Sequence, residues 1–270
     1  MNLNGKHVLL TGAGGGIGQP LALALASKGA KLALVDRDEP RVKALCDKIN
    51  ELGGTATAVI SDFLDSEAEP NSAIIVVDKV ISRMGHIDIL INSAGILDFT
   101  LFEDQNAQRI SQMMHINAVV PMQLARVLLP KFLARNSGQI VNVGSIFGSI
   151  GFPHYAAYSA SKFALRGFSQ ALRRELAESK IVVTYIAPRA VKTPINDQAA
   201  AMLAATKTSL DEPQVVVEKI IKAIEADKHE CYIGQPESFF AWLNGAFPSL
   251  VNIGLKKQAA IARQFITRKT

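Results

Sequence analysis

Short apolar runs and helical periodicities alternate along this chain almost from end to end. His7-Val8-Leu9-Leu10, Lys31-Leu32-Ala33-Leu34-Val35, residues 55–60, 87–92, 139–143 and 181–186, and Cys231-Tyr232-Ile233 read as strands, most of them apolar at consecutive positions. Between them, residues 20–26, 40–52, 108–131, 156–179 and 213–227 carry helical spacing, with Lys28-Gly29 and Gly53-Gly54 as stops. A strand that is apolar on both faces must be covered on both sides, and right-handed crossovers put the helices there. The pattern predicts an α/β fold, a doubly wound parallel sheet in three α/β/α layers. Ligands of such sheets sit beyond the carboxyl ends of the strands, which directs attention to the residues just after each one.

No linker rich in Pro, Gly or Ser interrupts this order. Residues 1–236 are expected to form one domain, with a loop at about 190–212 available to a ligand, and 237–270 a helical extension packed on that domain or on a partner. Of the 270 residues 49% are hydrophobic and 20% charged, enough for one large core. No apolar run reaches the roughly 18 residues of a membrane-spanning helix, and residues 1–6 lack the greasy stretch of a secretory leader, so a cytoplasmic location is expected. Cys46 and Cys231 occur without CxxC or HExxH spacing, which argues against a disulfide scaffold and against a metal site. The net charge of +5 resides in Lys256, Lys257, Arg263, Arg268 and Lys269 within the last fifteen positions, and the remainder is neutral. A surface for nucleic acid would spread its cations over the folded domain, so no nucleic-acid partner is expected.

The first strand runs into Thr11-Gly12-Ala13-Gly14-Gly15-Gly16-Ile17-Gly18. Glycine lets the main chain approach a bulky anion, and the following helix directs free N–H groups and its positive dipole end at it, so Gly12, Gly16, Ile17 and Gly18 are expected to hold a pyrophosphate. Asp36 ends the second strand, where a carboxylate accepts from both adenosine-ribose hydroxyls and repels a 2′-phosphate. That favours NAD. Arg37 beside it can pair with a phosphate, which keeps NADP open. Asp62-Phe63, after the third strand, suits adenine contact, or for Asp62 a helix cap or turn. Asn92, Ala94 and Gly95 close the fourth strand with small residues, where a flat ring must lie.

Tyr158 and Lys162 stand four apart at the start of a helical segment, hence on one face. A fixed cation stabilises phenolate, so Tyr158 is expected to titrate nearer neutrality than a free phenol and to act as general acid or base. Ser145 lies just past the fifth strand and can donate to a carbonyl oxygen.

These residues, Thr11-Gly-x-x-x-Gly-x-Gly18, Asn92-Ser-Ala-Gly95, Asn117, Ser145 and Tyr158-x-x-x-Lys162, resemble the short-chain dehydrogenase/reductase family in its single-domain Rossmann-fold form, over about residues 6–193. The resemblance implies that Tyr158 exchanges the proton and Lys162 lowers its pKa and holds the nicotinamide ribose. It further implies that Ser145 positions the substrate oxygen, Asn117 supports a proton-relay water, and Pro188, Val191 and Thr193 line the carboxamide end. It also implies a homodimer or homotetramer built on the helices from Gln108 and Ala156. Two positions depart from the family pattern, Ser93 and Arg189, the latter replacing a glycine. Arg189 is open to cofactor phosphate, to an acidic substrate group, or to solvent.

The loops after Gly95 and Ser145 hold Ile96, Leu97, Phe99 and Phe102, then Ile146, Phe147, Ile150 and Phe152. They suggest a lipophilic alcohol or ketone as substrate, or else core packing. Beyond the last strand, Phe239 to Leu255 and the basic tail fit an anionic bilayer surface, or folding over the pocket or a second subunit, which Pro248 and Gly254 favour. Competing functions are a non-catalytic nucleotide-binding sensor or scaffold, and an epimerase or dehydratase that retains its nucleotide.

Overall fold

The computed structural model describes residues 1–65 and 71–266. Seven strands, β1 (His7–Thr11), β2 (Lys31–Asp36), β3 (Thr55–Ile60), β4 (Ile89–Asn92), β5 (Gly138–Val143), β6 (Ile181–Pro188) and β7 (Glu230–Ile233), form one sheet in the order β3-β2-β1-β4-β5-β6-β7. Every pairing is parallel, from Thr11 opposite Val35 and Asn92 to Val143 opposite Ile186. The winding reverses between β1 and β4, and a crevice opens there at the carboxyl ends.

Alternation along each strand sorts side chains into two cores. On one face, Val8, Leu10, Leu32, Leu34, Ile89 and Ile91 meet α1 (Gly18–Ser27), α2 (Glu39–Glu51) and α8 (Pro213–Glu225) through Leu21, Leu25, Val42, Ile49, Val216 and Ile220. On the other, Leu9, Ala33, Val35, Leu90, Ile140 and Val183 meet α3 (Ser72–Met84), α5 (Val120–Arg135) and α6 (Ala156–Glu175). The helix α3 adds an element to those read from the sequence. Its buried stripe of Ala73, Val76, Val77 and Val80 has helical spacing, but the half-exposed Ile74 and Ile75 fill in the pattern and blur its period.

The helix expected over 108–131 is divided. α4 (Ala107–Met114) passes through a wider π turn, His115–Val119, into α5. The combined run Ala107–Arg135 is, by length and composition, apolar enough to cross a membrane, which corrects the expectation drawn from contiguous apolar residues. Half of its most apolar window is buried in the fold, with Val120, Leu124, Leu128 and Phe132 in the second core. The loop after β6 carries the short α7 (Ala200–Ala205).

The extension folds as α9 (Glu237–Ala246) and α10 (Pro248–Arg263), joined at Phe247. Ala241 and Val251 pack on Ile146 and Ile150, so the extension lies against the loop that follows β5. Phe239, Phe240, Trp242, Phe247, Leu250 and Ile253 remain exposed on its outer side. Arg268 and Lys269, which complete the basic tail, lie outside the described residues.

Candidate active site

The glycine turn joins β1 to α1 at the switch point, and its glycines are there for space. Gly12 has φ +67°, and a Cβ on it would fall 2.7 Å from the Ala94 backbone. One on Gly18 would fall 2.0 Å from the Gly12 carbonyl oxygen, and one on Gly16 2.5 Å from the Thr193 side chain. Among the described residues no side chain caps α1, and no acid lies in its first turn. Gln19 N donates to the Gly15 carbonyl at 3.0 Å and Pro20 has no N–H, which leaves the Ile17 and Gly18 amides for an anion. The Thr11 hydroxyl accepts from Ser93 N at 3.2 Å and Ala94 N at 3.3 Å, tying the turn to the end of β4.

Asp36 stands at the mouth of this cradle. Its Oδ2 accepts from Gly14 N at 2.9 Å and its Oδ1 from Arg37 N at 2.8 Å, so the carboxylate is held in place by main chain. Arg37 pairs with Asp62 at 3.8 Å in an exposed contact. Arg41, four residues further and not singled out in the sequence, reaches the Gly14 carbonyl at 3.5 Å. A cleft of about 470 Å³ is lined by Gly12, Gly14 to Gly18, Asp36, Arg37, Asp62, Ser93 to Gly95 and Thr193, among others. An extended dinucleotide fits a cradle of this shape and chemistry.

One of the expected cofactor contacts, Asn92, looks elsewhere. The Asn92 side chain is buried and donates to Asn142 Oδ1 at 2.8 Å, and Asn142 donates in turn to Ser169 at 2.8 Å, a polar chain inside the sheet. Phe63 is buried with the second core and also lines the cleft. Asp62 takes the turn role as well, accepting from Leu64 N at 2.9 Å.

Beyond the cleft, Ser145, Tyr158 and Lys162 meet around a smaller space of about 130 Å³, also lined by Leu97, Ile146, Phe147, Tyr155, Pro188, Val191, Thr193 and Leu203. The Ser145 hydroxyl accepts from Phe147 N at 3.2 Å and faces the Tyr158 phenol closely enough to draw its ionisation down. Lys162 is buried, donates to the Val143 carbonyl at 3.2 Å and lies 5.6 Å from the Tyr158 ring centre. Burial pushes the Tyr158 phenol up to about 12, with the Ser145 hydroxyl pulling the other way, and burial pushes Lys162 down to about 8. This differs from the expected acidic phenol. Desolvation opposes charge on both groups and outweighs a cation at this separation, so Tyr158 holds its proton.

Asn117 is fully buried in the π turn. Its Oδ1 accepts from Ile96 N at 2.9 Å, and its Nδ2 donates to the Ile96 carbonyl at 2.8 Å and to Ser161 Oγ at 2.9 Å. Ser161 donates to the Tyr158 carbonyl at 2.7 Å, so Asn117 braces the loop after β4 against the helix bearing Tyr158. Sequence reading missed Ser161, which lies between the two motif residues without a motif of its own.

The Arg189 side chain is engaged by acids of its own chain: it donates to Asp211 at 2.7 Å, to Glu237 at 3.1 Å and to the Gln235 carbonyl at 2.7 Å, and the residue also borders the smaller space beside Ser145 and Tyr158. Of the apolar loop residues, Leu97, Ile146 and Phe147 line the pocket. Phe99 is buried beside His154 and Tyr155, Phe152 stacks on Phe147 at 4.8 Å, Ile150 packs under α9 and α10, and Phe102 is exposed.

A dinucleotide cradle that opens onto a buried phenol and lysine meets the needs of a nicotinamide-dependent oxidoreductase. The chain belongs to the short-chain dehydrogenase family, whose model matches residues 6–204. An uncharacterized oxidoreductase of Bacillus subtilis is 31% identical over 262 residues, covering 94% of this chain and 72% of that protein. A ketoacyl reductase of a Nostoc species is 31% identical over 233 residues, covering 86% and 80%. Among solved structures, a short-chain dehydrogenase/reductase of Burkholderia phymatum in complex with NAD superposes with a TM-score of 0.84 at 22% identity, covering 93% of this chain and 96% of that one. A short-chain dehydrogenase of Sphingobium yanoikuyae in complex with NADPH does so at 0.77 and 28% identity, covering 92% and 95%. The protein is an NAD(P)-dependent oxidoreductase acting on CH–OH or C=O groups.

Proposed function

We propose that the protein interconverts a lipophilic secondary alcohol and its ketone, with Tyr158 as general acid and base. The observation that carries this reading is the meeting of Ser145, Tyr158 and Lys162 at a pocket whose other walls are mainly apolar, among them Leu97, Ile146, Phe147, Val191 and Leu203. When bound, the nicotinamide supplies or takes up the hydride. In the reducing direction Ser145 donates a hydrogen bond to the carbonyl oxygen, and the protonated Tyr158 phenol delivers a proton to that oxygen. Lys162 keeps its ammonium beside the phenol and offsets the negative charge that proton loss leaves there. Asn117 keeps the loop after β4 and the Tyr158 helix in register, and a role for it in a proton-relay water is part of the same reading.

NAD is the favoured partner, because the Asp36 carboxylate is held rigidly where a 2′-phosphate would sit. Arg37 and Arg41 flank it and keep NADPH in play. The similarity to a ketoacyl reductase supports an acyl or comparably greasy substrate. We further read the protein as cytoplasmic and homo-oligomeric through the α4–α5 and α6 faces. The outer row of the extension, with no acid after Glu237 and with Lys256 and Lys257 exposed, fits peripheral contact with an anionic bilayer.

The test is oxidation of NADH and NADPH against 2-alkanones of increasing chain length, cyclic ketones and keto-sugars, for the wild type and Tyr158→Phe. Long 2-alkanones with NADH should rank first, and the variant should retain NADH binding while losing most turnover. Unchanged turnover in Tyr158→Phe refutes the mechanism, a preference for sugars refutes the substrate class, and turnover without net NADH consumption points to a retained-nucleotide isomerase.

A further inference from the structure

β6 carries a side chain that the chemistry above does not use. Tyr185 lies fully buried in that strand, with its ring under the loop that follows β5. Its phenol oxygen stands between the two main-chain groups of Ser145. The Ser145 N–H donates to it at 3.3 Å, and the phenol O–H donates to the Ser145 carbonyl at 3.0 Å. One side chain therefore bonds both backbone groups of Ser145, sharing the carbonyl with the Gly148 N–H, which donates to it at 2.9 Å.

The slot is shaped for this ring. A Cβ on Gly144 would fall 2.2 Å from the Tyr185 ring, and one on Gly148 2.2 Å from its hydroxyl, so both glycines leave room that the tyrosine fills. The pairing of β5 with β6 runs out at Val143 opposite Ile186, with one more bond from Gly144 N to the Ile186 carbonyl at 2.7 Å. Ser145 comes next, beyond the ladder, where its amide and carbonyl have no strand to pair with. The phenol is the partner of the amide and a second donor to the carbonyl beside the Gly148 N–H. Burial pushes its ionisation upward, so it remains a proton-bearing donor.

We propose that Tyr185 is a positioning residue for Ser145: it locks the serine backbone in the extended conformation that aims the hydroxyl at Tyr158 and the substrate oxygen. Ser145 has φ −165° and ψ 160°, and fixing both its N–H and its C=O fixes the direction of its Cα–Cβ bond. The far end of the loop is held separately, by Tyr232 at 3.0 Å from the Ser149 hydroxyl and by Asn244 donating to the Ser149 carbonyl at 2.9 Å. Those contacts brace the loop without touching the serine. The proposal rests on the reading that Ser145 handles the substrate oxygen.

The experiment compares Tyr185→Phe, Ser145→Ala, the double variant and Tyr232→Phe, using the 2-alkanone with highest turnover and NADH. Tyr185→Phe keeps the ring in its slot, so its NADH affinity and its KM should stay within about threefold of wild type, while kcat falls on the order of ten- to a hundredfold. On the Ser145→Ala background the same change should add nothing to the loss, because the group it positions is gone. Tyr232→Phe should lower kcat less than Tyr185→Phe. Wild-type kcat in Tyr185→Phe alongside an impaired Ser145→Ala overturns the positioning role alone. An equal further loss in the double variant also overturns it, by showing a general structural effect. Wild-type kcat in Ser145→Ala overturns the reading of the serine, and the proposal with it.

Discussion

The Arg189 guanidinium donates to the Asp211 carboxylate across 2.7 Å, with both side chains largely shielded from solvent. Its other terminal nitrogen reaches Glu237, so one side chain ties the end of β6 to the segment before α8 and to the first turn of α9. The family glycine at this position could make none of these ties. Arg189→Ala leaves two carboxylates without their cation and should cost about 2 kcal/mol, less than a fully buried pair because solvent reaches the rim. The midpoint of urea unfolding checks it. A midpoint equal to wild type would mean that the extension is held by its apolar contacts alone.

Two glycines give opposite expectations. In Gly18→Ala the new methyl meets the Gly12 carbonyl oxygen and the Ala13 backbone, at 2.0 Å and 2.9 Å, and neither is the end of a flexible side chain. The turn must shift, with a loss of about 1–3 kcal/mol and of NADH binding by fluorescence titration. Gly167 lies in α6 with nothing within 4 Å of a Cβ. Gly167→Ala should raise stability by about 0.5–1 kcal/mol and leave binding unchanged.

The buried Lys162 sets a pH trend in stability. Its ammonium titrates near 8 in the fold instead of 10.5, so between those values the unfolded chain binds more protons than the native one. Native stability from this group therefore rises with pH across that window. Lys162→Met lacks the buried charge. Its thermal midpoint relative to wild type should be highest at pH 7.5 and should decline toward pH 10. A gap that is flat over this range would show that the native lysine titrates as an exposed one does.

The extension presents Trp242, Phe247, Leu250 and Ile253 to solvent beside Lys256 and Lys257. Co-sedimentation should pellet the protein with vesicles containing anionic lipid and much less with neutral ones. Trp242→Ser combined with Leu250→Ser should abolish pelleting without altering turnover of a water-soluble ketone. Equal recovery with both lipids would remove the electrostatic part of the reading. A wild-type dimer that the double variant dissociates would assign the surface to a second copy of the chain.

The layered α/β class, the glycine turn, Asp36 and the Tyr158-x-x-x-Lys162 pair were legible in the sequence by itself. Each depends on local chemistry: strand and helix periods, backbone freedom at glycine, and a spacing of one helical turn. What only the tertiary structure decided involves partners far apart in the chain. Tyr185 meets Ser145 because β5 and β6 pair in one register, and Arg189 finds Asp211 and Glu237 because three separate segments converge on the end of β6. Asn92 turned inward for the same reason, since packing chooses which side of a strand end a side chain takes. The protonation of Tyr158 was likewise beyond sequence spacing. Placing a lysine nearby says which charge is available, but the depth of burial decides whether either group can carry it.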